Sequence, residues 1–168
     1  MTYAELQEIG RLRFTRRLPH PPEKVWAAIT EPGHLDAWFP TTIDGERRAG
    51  APLRFEFRNG EGPGFDGRMI AFSPYHLIEF DWGPDRLRIE LEPDGDGTVL
   101  TLIDTFPEYG KAARDAAGWH VCLARLAGRL DTGGAVDGPD WKPLNAEYVA
   151  RFGPKASTVG PPAGTNGG

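Results

Sequence analysis

The chain has 168 residues, 39% of them hydrophobic and 26% charged, a size and balance that suit one globular core with short extensions. Its net charge of −5 argues against an electrostatic hold on nucleic acid, and no apolar run approaches the ~20 residues of a membrane-crossing helix. One cysteine, Cys122, excludes an internal disulfide and a thiolate zinc cluster.

The opening residues, "MTYAELQEIGRLRF", carry charge where a signal peptide has an apolar stretch, so a cytoplasmic location is expected. Residues 1–8 read as a lead-in, and the domain is expected over 9–132. In "RLRFTRRL" the residues Leu12, Phe14 and Leu18 alternate with arginines and a threonine, the period of a half-buried strand. Arg11, Arg13, Arg16 and Arg17 then read mainly as its solvated face. "HPPEKVWAAIT" predicts a helix entered through two prolines, and "EPGH" breaks it before a second helical piece, "LDAWF".

Five strands follow, "PLRFEFR", "DGRMIAF", "HLIEFDW", "DRLRIELE" and "TVLTLIDTF", with "EPDGDGT" as the clearest hairpin turn. Leu53, Phe55 and Phe57 share one face, as do Ile78, Phe80 and Trp82, and Leu87, Ile89 and Leu91. Such alternation describes an antiparallel sheet with one covered side. From about Lys111 the period becomes helical, and Ala112, Ala116, Trp119, Cys122, Leu123, Leu126, Ala127 and Leu130 fall on one stripe. Within that stripe Cys122 reads as a small buried hydrophobe rather than a nucleophile. His120 lies on its shoulder, where it could border a cavity.

The back of this helix carries Ala113, Ala117, Val121, Ala124 and Gly128, too small and too uncharged for a solvated face. Downstream, "GPDWKPLNAEYVARFG" spaces Trp141, Leu144, Tyr148 and Phe152 as a short amphipathic helix. It is expected to fold back over the small-residue stripe or a sheet edge as an extension over 133–153. The Gly/Pro-rich stretch 154–168 reads as a disordered tail.

Metal and phosphate chemistry have little local support. The histidines at 20, 34, 76 and 120 include no pair at i, i+4, and "GEGPGFDG" precedes a strand where a phosphate-cradling loop would open a helix. That loop reads as a hairpin or the rim of a cavity, and no metal or cofactor is expected.

The order of elements, an α+β arrangement, resembles the helix-grip fold of the START-like (SRPBCC) superfamily, a curved antiparallel sheet wrapped around a long C-terminal helix. "HPPEKVWAAITEPGHLDAWFP", "GAPLRFEF", "FDGRMIAFSPYHLIEFDWG", "LEPDGDGTVLTLIDTF" and "GKAARDAAGWHVCLARL" resemble the branch named for the C-terminal domain of the activator of the ninety-kilodalton heat-shock chaperone's ATPase. The resemblance covers roughly residues 10 to 131. It implies a ligand carrier, a cyclase or hydratase, or a chaperone-activating domain, and it nominates no catalytic residue.

A helix grip leaves a gap between sheet and helix, which rings can fill or line. The candidate ligand-binding residues are therefore Trp38, Phe55, Phe57, Phe80, Trp82, Trp119 and Leu123, with the polar Arg16, Asp104 and His120 to orient an occupant. Arg16 is in phase with Phe14 and Leu18, and Asp104 with Leu102 and Phe106. The two could equally pair with each other. The expected function is binding of a small hydrophobic or aromatic molecule by a monomer or homodimer, with no nucleic-acid or membrane partner. The alternatives are a cyclase or hydratase using Asp104, His120 or Arg16 as acid, base or anchor, and, last, a chaperone-type partner role.

Overall fold

A computed structural model describes residues 2–7, 9–58, 60 and 62–160. Seven antiparallel strands form one sheet in the order β1-β2-β7-β6-β5-β4-β3. They are β1 (Glu5–Gln7), β2 (Arg11–Leu18), β3 (Pro52–Phe55), β4 (Phe65–Ser73), β5 (Leu77–Trp82), β6 (Asp85–Asp94) and β7 (Gly97–Thr105). Register follows the predicted alternation: Phe14 lies opposite Leu102, Ile89 opposite Leu102 on its other side, and Phe80 opposite Leu87. These side chains therefore share one face, and each is sealed from solvent. A register shift between Met69 and Ala71 bends β4, the local kink by which a sheet curls.

Helix α1 (Pro22–Thr30) and helix α2 (Pro32–Leu35) follow β2. The break between them falls at Glu31, not at the Pro-Gly pair. Pro32 opens α2 because its missing N–H and fixed φ suit a first helical position, so α2 ends where the second helical piece was expected to begin.

Helix α3 (Ala112–Thr132) follows a 3-10 turn over Tyr109–Lys111 and spans about 30 Å at the usual rise. It lays Ala116, Trp119, Leu123, Leu126 and Leu130 into the core. Gly133, in the left-handed conformation, closes it with its N–H on the Arg129 carbonyl at 2.8 Å.

Helix α4 (Trp141–Phe152) packs along α3, with Leu144 and Tyr148 buried. The stretch before it also covers the small-residue stripe: a side chain at Gly128 would overlap Val136, and one at Gly138 would meet Val121.

Within the expected lead-in, Glu5–Gln7 join the sheet, with Leu6 opposite Leu12 in the β1–β2 pair. The start of the expected tail is held in place: Ala156 is buried, and the Val159 N–H donates to the Gly110 carbonyl at 3.0 Å. Backbone pairing, which composition does not reveal, holds this stretch. The remainder of the expected disordered tail, 161–168, lies outside the described residues.

The chain's two ends meet at one polar link. Tyr148 Oη, fully buried, accepts the Ala4 N–H at 2.9 Å and stands 2.7 Å from His120 Nδ1. Burial, and secondarily the Arg16 charge, lower the His120 pKa to about 4, so at neutral pH the imidazole accepts the Tyr148 proton. An unfolded histidine titrates near ~6.5. Between these values the unfolded chain binds more protons, so this contribution is full above the upper value and lost as pH falls through the window. Acidification from pH 7 to pH 5 should therefore shift the thermal midpoint less favourably in the native protein than in His120→Gln, by several degrees.

Candidate functional site

Rings crowd one end of the sheet because β5 ends on Trp82, β4 begins at Phe65, and Phe55 and Phe57 lie on the neighbouring edge. Trp82 packs at centroid distances of 4.9 Å from Phe65, 5.0 Å from Phe55, 5.1 Å from Phe39 and 5.9 Å from Trp119. Deeper in, Phe55 and Phe80 lie 5.6 Å apart and are sealed from solvent.

Where these rings splay apart, a groove of about 540 Å³ opens. Phe57, Phe65 and Trp82 form its sheet side, Gly83 and Pro84 its rim, and Trp141 of α4 a further wall. The floor is α3, which presents Arg114, Asp115, Gly118, Trp119 and Cys122 just after Lys111, a spacing of three, four, seven, eight and eleven that follows one helical face. A Cβ at Gly118 would meet nothing within 4 Å, so this glycine leaves the middle of the floor open.

The polar end of the groove is a cluster of charges. Lys111 Nζ donates to both oxygens of Asp85, at 2.6 and 2.7 Å, and lies 3.3 Å from Asp115. Arg114 Nε donates to Asp115 at 3.0 Å. Behind them Asp104 Oδ2 accepts the Trp119 indole N–H at 3.2 Å, while its Oδ1, also sealed, has no partner among the described residues.

Asp85, Asp104 and Asp115 can each bring an oxygen within 4.8 Å of the others. That is a cation-holding arrangement, and the cation supplied by the chain is the Lys111 ammonium. Burial, reinforced by the Asp85 and Asp115 charges, raises the Asp104 pKa well above the usual carboxylate range. Burial likewise raises that of Asp85, against the opposing pull of Lys111. For Lys111 burial works downward, but Asp115 and Asp85 outweigh it and the ammonium holds its proton more firmly. Burial pushes the Cys122 thiol up to about 12, so it faces the groove as a weak, protonated group and not as a thiolate nucleophile.

The structure divides the candidate residues. Phe57, Trp82 and Trp119 line the groove. Phe55, Phe80, Trp38 and Leu123 are core: their rings and methyls fill the gap between sheet and α3, and Trp38 is held under α1 by its indole N–H on the Ala28 carbonyl at 2.9 Å. The space left for an occupant is thus at the mouth of the grip, not along its length.

Asp104 sits beneath the floor, whereas the next residue after Trp119, His120, turns about 100° away to Tyr148. The two do not form an acid–base pair. Arg16 donates to the Thr15 carbonyl at 2.9 Å and lies 5.5 Å from the Phe14 ring centroid, so it neither pairs with Asp104 nor lines the groove. Sequence reasoning missed Phe65, Asp85, Lys111, Arg114, Asp115, Gly118 and Trp141 as groove residues.

The sequence profile of the family described as "Activator of Hsp90 ATPase homolog 1-like protein" matches residues 19–131. The chain belongs to this family. In this member of the Hsp90-ATPase-activator-like family, the matched span covers the α3 floor and the sheet side of the groove and ends before Trp141. No match to the chain is found among curated protein sequences.

Among solved structures, the conserved protein of unknown function EF2215 from Enterococcus faecalis superposes with a TM-score of 0.76 at 20% identity, over 89% of this chain and 88% of its own. That likeness is one of fold. The protein encoded by BPP1335 from Bordetella parapertussis gives 0.70 at 25% identity over 90% and 88%. DynU16, a putative protein in the dynemicin biosynthetic locus, gives 0.65 at 29% identity over 73% of this chain and 48% of its own, so the chain spans about half of DynU16. No helix among the described residues is long and apolar enough to cross a membrane.

Proposed function

We propose that the protein binds a small aromatic or otherwise apolar molecule in this groove. The observation that carries the reading is the groove itself: five aromatic residues, Phe57, Phe65, Trp82, Trp119 and Trp141, surround a space of about 540 Å³ that ends on a few convergent charges. Concave, mostly apolar sites with a few placed polar groups are the usual form of small-molecule sites. The likeness to DynU16, whose name places it in a biosynthetic locus, supports a small occupant over a macromolecular one.

A second reading, acid–base chemistry at the same place, is favoured by one observation. Burial raises the Asp104 pKa well above the usual carboxylate range, its sealed Oδ1 has no partner among the described residues, and Asp85 of the groove lining lies beside it, a pair of carboxyl groups that could share a proton.

Native mass spectrometry against a library of aromatic and lipidic compounds tests both readings. Gly118→Phe projects its ring into the open floor and keeps the helix, so it should retain the native melting temperature while losing binding at least about tenfold, the order expected when a ring displaces the occupant's apolar contacts. Absence of any ligand for the native protein, or equal binding by this variant, would refute the groove as the site. A bound compound recovered unchanged in mass supports carriage, and one recovered altered supports chemistry.

A further inference from the structure

Hydrogen-bonding capacity in the groove is unequally used. On the acceptor side both Asp85 oxygens are taken by Lys111, while Asp115 receives Lys111 on one oxygen and Arg114 Nε on the other. The donors are less committed. Arg114 spends only Nε: its two terminal nitrogens, Nη1 and Nη2, bond to no described residue, and the side chain is 23% exposed where it borders the groove. The indole N–H groups of Trp82 and Trp141 also have no partner among the described residues, whereas that of Trp119 is occupied by Asp104. Neither indole nitrogen is sealed, so both can meet an incoming acceptor.

Resting on the ligand-binding reading above, we infer that the groove selects planar aromatic carboxylates, with the ring over Gly118 among Trp82, Trp119 and Trp141 and the carboxylate on the free fork of Arg114. Arg114 lies four residues before Gly118, about 6 Å along the axis and on the same helical face, and both border the groove. A guanidinium fork matches two carboxylate oxygens at once, and such charge-assisted pairs are stronger than neutral ones. A neutral ligand would leave the fork without its match, and a cationic one would meet Lys111 and Arg114 with the carboxylates already engaged. The chain's overall negative charge opposes an anion only weakly, since at physiological salt charges are screened beyond about 8 Å.

Isothermal titration with 2-naphthoate, 2-naphthylmethanol and 2-naphthylmethylammonium tests the inference, the alcohol serving as the reference for ring binding. Naphthoate should bind the native protein about tenfold or more tightly than the alcohol, with the ammonium weakest. In Arg114→Gln the naphthoate-to-alcohol ratio should collapse to about one, while Arg114→Lys, which keeps the charge against Asp115 without the fork, should give an intermediate ratio. Equal binding of the three probes, or a ratio that survives Arg114→Gln, overturns the anion preference while leaving the groove as a binding site. Failure of every probe to bind overturns both.

Discussion

Lys111→Ala should destabilise the protein by about 3–5 kcal/mol at neutral pH, the usual cost of leaving buried charge without its partner. Lys111 is 7% exposed and Asp85 4%, so water cannot readily replace the lost ammonium. Asp85 and Asp115 would then face each other beside Asp104 with no positive neighbour except Arg114. Lys111→Met, which keeps most of the packing volume, should cost nearly as much, because the loss is electrostatic. Adding Asp85→Asn should recover much of it.

The deficit should also shrink as pH falls. With the ammonium gone, the carboxyl groups bind protons in the folded state at a pH where unfolded ones do not, so acid favours folding of the variant relative to native protein. Urea denaturation of the single and double variants at pH 7 and pH 5 measures this. A loss under about 1 kcal/mol, unchanged with pH, would show that water enters the cluster and that the ion pair contributes little.

Truncation after Thr132 should lower the melting temperature by at least 10 °C, on the basis of about 2–4 °C per kcal/mol for a chain of this size. Full burial of a large apolar side chain contributes about 1.5–3 kcal/mol, and the deletion removes buried Leu144 and Tyr148 together with Val136, Trp141 and Phe152. It also uncovers Val121 and His120 and strips the Ala4 N–H of its acceptor. Tyr148→Phe isolates the polar part: the ring stays, the link between chain ends is cut, and about 1–3 kcal/mol should be lost. Differential scanning calorimetry on both reads the effects directly. A truncated chain that melts within two or three degrees of the native one would make the extension a passenger.

The sheet was legible where alternation is strong. Leu87, Ile89 and Leu91 could belong only to one face, and the register with β5 and β7 agrees. Strand β1 was not legible, because in Glu5–Gln7 only Leu6 is apolar and pairing with β2 supplies what pattern does not. Helix α3 announced itself by its period, yet that same stripe hid the site.

Rings on inward faces nominated Phe57, Trp82 and Trp119, which border the groove, alongside Phe55 and Phe80, which are sealed in the core. Position along a strand decides whether a ring fills the grip or borders its mouth, and periodicity carries no such coordinate. The charged residues lacked a signal of another kind: charges in the first turns of a helix are common whether or not they face solvent, so nothing in their charge sets Lys111, Arg114 and Asp115 apart. Spacing held a signal. Asp85 is in phase with Leu87, and Arg114, Gly118 and Cys122 repeat every four residues beside Trp119, a second face that an unexpected glycine marks.

Trp141 stands outside the segment that matches the family, which stops at residue 131, yet it forms one wall of the groove. The protein is therefore modular in a way its single core conceals. The family-matched segment supplies the floor and the charges, and α4, outside that match, supplies one wall. Variation in that helix could retune what the groove admits while the sheet, its register and its charged cluster stay as they are. Grafting a relative's extension onto this core would be a direct route to a new ligand preference.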